Sequence, residues 1–155
     1  MRAIICGFVS LLLASFDLYV KKFVEKELVR GEEQEECGGR IVIRRVHNKG
    51  FAFDLADKYP NIVKWVSLAA LGSIISYALH IWKQGTSMVE KLAAILAVAG
   101  GISNTYERVK NGYVVDYIAF KTKWKKFNRL TFNLGDFYIF LGGFVLLIKM
   151  IVKGK

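Results

Sequence analysis

The chain has 155 residues, 54% of them apolar, and a positive mean hydropathy, which excludes intrinsic disorder and small disulfide-stapled secreted scaffolds. It also carries 23 Lys and Arg against 13 Asp and Glu, a net charge of +10. In a soluble protein that excess would point to nucleic acid, but a chain this apolar is best placed in a bilayer, so the charges matter by where they fall relative to the apolar runs.

The first charge-free run, Ala3 to Phe16, predicts a helix over about 3–24 that must take in Asp17, Lys21 and Lys22 to cross about 30 Å of hydrocarbon. Leu12 and Leu13 stand where a cleaved leader needs small residues, so the run is kept as helix 1. A polar segment, 25–61, follows. Glu25 to Glu36 is charged and is expected to be helical or mobile. Arg40 to Val46 and Phe51 to Leu55 are expected as short extended runs separated by the turn signal Asn48-Lys49-Gly50, forming a small sheet on the membrane face.

Helix 2 is expected over about 62–82, with Trp65 and Trp82 17 residues apart, as an aromatic belt would place them. Helix 3, about 89–107, carries Ala93, Ala97 and Gly101 at four-residue spacing for close packing and ends at Glu107 and Arg108. In the next connection, 108–133, Tyr113 to Phe120 predicts another strand. Lys121 to Arg129 sets five basic residues around Trp124 and Phe127, a pattern that fits lipid headgroups better than nucleic acid beside a membrane helix. Helix 4, about 134–152, opens at Asp136. In an up-and-down bundle the ends of helices 1 and 3 and the start of helix 4 meet on one side, so the intruding charges gather at one membrane face. Ionisable groups within spans are costly and point to a functional site.

Among chemistries, serine-hydrolase, zinc-protease, nucleotide-binding and thiol-redox motifs are absent, and His47 and His80 fall on opposite faces. Cys6 and Cys37 read as free thiols, and no metal or other cofactor is expected. Asp116 and Asp136 remain. Two carboxylates within reach of each other share a proton, and such a pair can activate water while donating to a carbonyl oxygen; spacing alone is a weak signal for it and favours a solvated loop residue at Asp116 and a helix cap at Asp136.

Five stretches narrow this choice. Asp17-Leu-Tyr-Val-Lys21 resembles the D-x-x-x-K of lipoprotein signal peptidase (signal peptidase II), and Asn48-Lys-Gly50-Phe-Ala52-Phe53 resembles its N-x-G-x-A-F. Gly100-Gly101-Ile-Ser-Asn104-Thr-Tyr-Glu107-Arg108 resembles G-G-x-G-N-x-x-D-R, Gly112-Tyr-Val-Val-Asp116-Tyr-Ile118 resembles G-x-V-V-D-F-I, and Phe132-Asn133-Leu-Gly135-Asp136 resembles F-N-x-A-D. The order is that of the family, and among the positions that depart from it are Ser103 for glycine, Glu107 for aspartate and Gly135 for alanine.

The resemblance implies a single four-helix membrane domain with a small β-sheet cradle on the outer face. It implies an aspartic endopeptidase that removes the signal peptide of a diacylglyceryl-modified prolipoprotein just before the lipidated cysteine. Asp116 and Asp136 would be the catalytic pair; Asn48, Gly50, Gly100, Asn104, Arg108 and Asn133 would surround substrate and pair, and Asp17 with Lys21 would support them. The same residues also admit an ordinary i,i+4 ion pair, a turn, a helix contact and a snorkelling cation. Membrane lipid and the precursor are the expected partners of a monomer, without nucleic acid. The resemblance puts the site at the outer face of the bacterial cytoplasmic membrane, with both termini inside. Charge alone argues the reverse, since 17 of the 23 basic residues lie on the site face. The rival readings are an inactive family member that binds precursors and a small membrane scaffold or transport subunit that binds anionic lipid.

Overall fold

The computed structural model describes residues 2–29, 31–51, 55–124 and 126–153. Four helices, α1 (Arg2–Glu27), α2 (Pro60–Lys83), α3 (Met88–Asn111) and α4 (Leu134–Lys153), carry a three-stranded antiparallel sheet of β1 (Glu33–Glu36), β2 (Ile41–Asn48) and β3 (Val114–Phe120) in the order β1-β2-β3. The fold is that of a mainly helical membrane protein. Three stretches, Ile4–Glu27, Pro60–Lys83 and Leu134–Val152, are long and apolar enough to span a bilayer.

α3 is the exception for a physical reason: it forms the axis of the bundle and packs against each of the other three helices. Its side chains face protein, so it can hold Ser103, Asn104, Thr105 and Glu107 buried where a lipid-facing helix could not. The outward surfaces of α1, α2 and α4 instead expose Phe8, Leu12, Trp65, Phe140, Leu141 and Phe144, as lipid-facing surfaces should. α3 begins on a reciprocal capping box between Ser87 and Glu90 and ends at Gly112, whose positive φ of 78° turns the chain into β3.

The small-residue stripe on α3 is used, with one change of partner. A methyl group on Gly142 of α4 would run into the Ala93 carbonyl oxygen and lie 2.8 Å from the Ala97 nitrogen, and one on Gly100 would run into the Gly135 carbonyl oxygen. Ala93, Ala97 and Gly100 thus seat α4, whereas Gly101 faces Leu71 of α2. Trp65 is exposed as a belt residue would be, but Trp82 packs on Ala78, Ile81, Ala94 and Val98 inside the bundle.

The polar connection differs from its sequence reading. Glu33–Glu36, expected within a helical or mobile stretch, is an exposed edge strand, held by Arg44 on Glu33 (3.0 Å) and Lys121 on Glu35 (2.6 Å) in addition to its ladder with β2. A strand with no apolar residue forms because its neighbours supply opposite charge. Of the run expected at Phe51–Leu55, residues 52–54 lie outside the described residues; the Phe51 N–H donates to the Leu55 carbonyl across them. Cys6 and Cys37 are both free.

Two features of the sheet place the polar residues. β2 carries one extra residue opposite β3: Ile43 pairs with Ile118, but Val46 pairs with Asp116. That bulge keeps Ile43 and Val46 on one face although they are three positions apart, and Asn48, two residues past Val46, lands on the face of Asp116. On the other edge of β3, Phe132 exchanges backbone hydrogen bonds with Ile118 at 2.8 Å each way. A cluster of Phe120, Phe127, Phe132 and Phe137 closes over this bridge. The start of α4 is thereby carried to the middle of β3.

Candidate active site

Asn133 stands immediately before α4, and its side-chain oxygen accepts the Asp136 N–H (2.9 Å) while Asp136 Oδ2 accepts the Asn133 N–H (3.0 Å). This is a capping box, with Asp136 at the third helical position rather than at the cap itself. The Asn133 side chain also reaches the strand, where its Nδ2 donates to Asp116 Oδ1 at 2.5 Å. One residue therefore holds a carboxylate on each side, and the strand residue Asp116 and the helix residue Asp136 meet across it.

Each carboxylate has a further amide. Asn48 Nδ2 donates to Asp116 Oδ2 (2.9 Å), and Asn104 Nδ2 donates to Asp136 Oδ1 (2.8 Å). The three asparagines share one logic, because in each the amide oxygen is already engaged by a donor and the amide nitrogen is left to aim at an aspartate. For Asn48 the donor is the Gly50 N–H (3.0 Å), for Asn133 the Asp136 N–H, and for Asn104 the Lys21 ammonium (2.6 Å).

Lys21 is 1% exposed and lies among Asp17 (2.9 Å), Glu107 (3.3 Å), Ser103 Oγ (3.0 Å) and Asn104. The Asp17–Lys21 spacing is that of a surface i,i+4 pair, yet both groups are enclosed, and an enclosed pair stands only when its remaining valences are met. They are met: Asp17 also accepts from the Ser103 hydroxyl (2.5 Å) and the Tyr117 hydroxyl (3.3 Å). Glu107 accepts the Val115 N–H (2.9 Å), which ties the cluster to β3 one residue before Asp116. The Tyr117 hydroxyl in turn accepts the Leu134 N–H (3.2 Å), joining α1, β3 and the first turn of α4.

Arg108 stands within electrostatic reach of both aspartates. Among the described residues it makes no hydrogen bond to either aspartate; it donates to the Gly50 carbonyl (3.0 Å) and Ser67 Oγ (3.3 Å) and lies over the Phe51 ring. It fixes the turn after β2 to α2 and α3, and so supports Asn48 through Gly50. Gly100 is a contact between α3 and α4 one turn below Asn104. Ala52 and Phe53 lie outside the described residues.

The sequence does not single out Tyr117, it marks Ser103 and Gly135 as departures alone, and it marks Glu107 as a departure and as one of the charges gathered at the site face. Ser103 and Glu107 are members of the Lys21 cluster. Glutamate at 107 reaches both Lys21 and the Val115 N–H. The available signal was their helical spacing, since 100, 103, 104 and 107 lie on one face of α3.

The electrostatics follow from burial. Asp116 is 2% exposed, and its carboxyl is pushed up to about 7, first by loss of water and next by the charge of Asp136, against the opposing pull of Asn48 and Asn133. The Tyr117 hydroxyl is likewise pushed up, by burial and then by the Asp17 carboxylate, so it stays a donor. The arrangement is a pair of carboxyls within electrostatic reach of each other, each fixed by asparagine amides and bridged by Asn133. Among the described residues no cluster of His, Cys, Asp and Glu offers a metal site.

Comparisons with known proteins bear on the family and the fold. The family model described as signal peptidase (SPase) II matches residues 9–152. The lipoprotein signal peptidase of Fusobacterium nucleatum subsp. nucleatum is 30% identical over 144 residues, covering 93% of this chain and 84% of that protein. That of Allorhizobium ampelinum is 36% identical over 112 residues, covering 70% of this chain and 65% of that protein, and that of Brucella ovis is 29% identical over 150, covering 92% and 86%. A solved bacterial membrane enzyme superposes with a TM-score of 0.82 at 18% identity, covering 97% of this chain and 89% of that one, and a second does so at 0.76, also at 18%, covering 94% and 91%. These likenesses to solved structures concern the fold; with the sequence matches across nearly the whole length, the chain belongs to the signal peptidase II family.

Proposed function

We propose that this chain is an active aspartic endopeptidase that cleaves diacylglyceryl-modified prolipoproteins just before the lipidated cysteine, with Asp116 and Asp136 as the catalytic pair. The observation that carries the reading is Asn133, which holds one carboxylate with its side chain and the other with its backbone. The ionised member of the pair takes a proton from water as the water oxygen bonds to the scissile carbonyl carbon, and the protonated member gives its proton to the carbonyl oxygen. The resulting diol collapses as the C–N bond breaks, the amine leaving with the proton of one carboxyl while a diol hydroxyl gives its proton to the other carboxylate, which leaves the pair with one proton as at the start. Asn48, Asn104 and Asn133 keep the carboxyls in place without adding charge, and Lys21, Asp17 and Glu107 keep Asn104 in place.

The substrate's acyl chains stay in the bilayer, where burial contributes about 0.8 kcal/mol per CH₂, so the lipid tethers the scissile bond at the depth of the pair. The deciding experiment mixes the purified protein with a synthetic lipidated precursor peptide and follows the product by mass spectrometry. A single cut on the N-terminal side of the lipidated cysteine is expected; an intact peptide would support a precursor-binding protein that does not cut.

The reading also sets topology, with both termini in the cytoplasm and the pair near the extracytoplasmic face. A reporter fused to the C-terminus should be active only as a cytoplasmic probe; an extracytoplasmic signal would invert the assignment.

The basic loop fits an anionic bilayer surface. Trp124 is 77% exposed at the tip of a turn closed by Thr122 and Asn128, and Lys123, Lys126 and Arg129 lie exposed around it without a carboxylate partner among the described residues. Phe127 ties this turn to Phe132 and so to the start of α4. Each lysine near an anionic surface contributes about 1 kcal/mol. Quenching of Trp124 fluorescence by brominated lipid should therefore be stronger with anionic than with zwitterionic lipid, and Lys123→Gln with Lys126→Gln should remove the difference. Equal quenching by both lipids in the parent would refute the lipid role.

A further inference from the structure

Gly135, in the first turn of α4, is enclosed by three oxygen atoms. A methyl group placed on it would lie 2.8 Å from Asp17 Oδ2, 3.0 Å from Asn104 Oδ1 and 3.0 Å from Asn133 Oδ1, closer than carbon and oxygen normally approach. None of the three oxygens is free to step aside. Asn133 Oδ1 caps α4 through the Asp136 N–H, Asn104 Oδ1 accepts from Lys21, and Asp17 Oδ2 accepts from the Ser103 hydroxyl at 2.5 Å and faces Lys21 at 2.9 Å. Ser103 is fully buried, and its Oγ also accepts from Lys21 at 3.0 Å, so one hydroxyl sets both members of the ion pair.

We propose that Ser103 and Gly135 are a matched pair of positioning residues for Asp136. The Ser103 hydroxyl draws the Asp17 carboxylate into the space that a side chain at 135 would occupy, and Gly135 leaves that space open. Together they fix the contact of Lys21 with Asn104 that turns the Asn104 amide toward Asp136. Both residues are departures from the family motifs, and the geometry makes them a single departure. For its catalytic readout the proposal rests on the peptidase reading given above.

The test is a double-mutant cycle on the full chain in detergent, comparing the parent, Ser103→Ala, Gly135→Ala and the double variant by thermal midpoint and by kcat and KM on the lipidated peptide. Ser103→Ala removes the hydroxyl and nothing else. Gly135→Ala should lower kcat on the order of tenfold with little change in KM, and adding Ser103→Ala should restore most of that loss, because an unhooked Asp17 can move away from the new methyl. Gly143→Ala is the control, since a methyl there meets nothing within 4 Å, and it should leave kcat and midpoint unchanged. Additive effects in the cycle overturn the pairing. Coupling in the midpoint without coupling in kcat overturns the positioning role. A parent that does not cleave would sink the peptidase reading alone; the pair is then judged by the midpoint, where coupling supports it and additivity overturns it.

Discussion

Asp116→Asn and Asp136→Asn are each expected to lower kcat on a lipidated precursor by on the order of 10²–10⁴-fold, the span that general acid–base catalysis supplies. Because the two carboxyls act as one proton-sharing unit, the double variant should be no slower than the slower single variant. Loss of the fold does not account for such a result in the Asp136 variant, since an asparagine oxygen at 136 can still accept the Asn133 N–H and close the cap of α4. Either single variant retaining parental kcat would remove the pair from the chemistry.

The same pair fixes the pH response. The Asp116 carboxyl, at about 7 in the fold against 3.8 ordinarily, keeps its proton between those values when the unfolded chain has lost it. Its contribution to stability is therefore fully present below about 4 and is lost as pH rises through about 7. The parent's thermal midpoint should accordingly fall between pH 5 and pH 8 more than that of Asp116→Asn, whose side chain does not titrate. Cleavage should decline above about pH 7, as the pair loses the proton that it must donate to the scissile carbonyl. A midpoint that falls equally in both proteins would place the titrating group elsewhere.

The bundle was legible because bilayer thickness is a strong constraint and the sequence answers it with three apolar stretches. The fourth helix was harder to bound. α3 is surrounded by protein, so its polar residues escape the hydropathy rule that delimits α1, α2 and α4. Asp116 and Asp136 were legible as a pair only through the ordered motifs around them. Their convergence depends on the Phe132–Ile118 bridge, and the approach of Asn48 to Asp116 on the β2 bulge, contacts between distant segments that leave no local periodicity. β1 was missed for the converse reason: Glu33–Glu36 has no apolar alternation, and its strand state comes from cations on β2 and beyond β3. The ion pair at Asp17 and Lys21 was visible in its i,i+4 spacing but not in its burial, which α3 and Tyr117 decide.

That burial gives the second large effect. Lys21→Met should destabilise the fold by about 3–5 kcal/mol, because it leaves Asp17 and Glu107 enclosed without their cation, and removing one partner of a buried pair costs far more than replacing the whole group. It should also lower kcat, since Asn104 Oδ1 loses the ammonium that orients it and its amide nitrogen is no longer committed to Asp136. The two consequences separate in the variant Lys21→Met/Asp17→Asn/Glu107→Gln, which removes every charge of the cluster. Glutamine at 107 can still accept the Val115 N–H, so the thermal midpoint should return toward the parental value. Asn104 has regained no donor in that variant, and kcat should stay low. If cleavage recovers together with stability, Lys21 acts only as a counter-ion and the orientation of Asn104 is set by other contacts; if stability fails to recover, the cost of Lys21→Met lies in lost packing rather than in stranded charge.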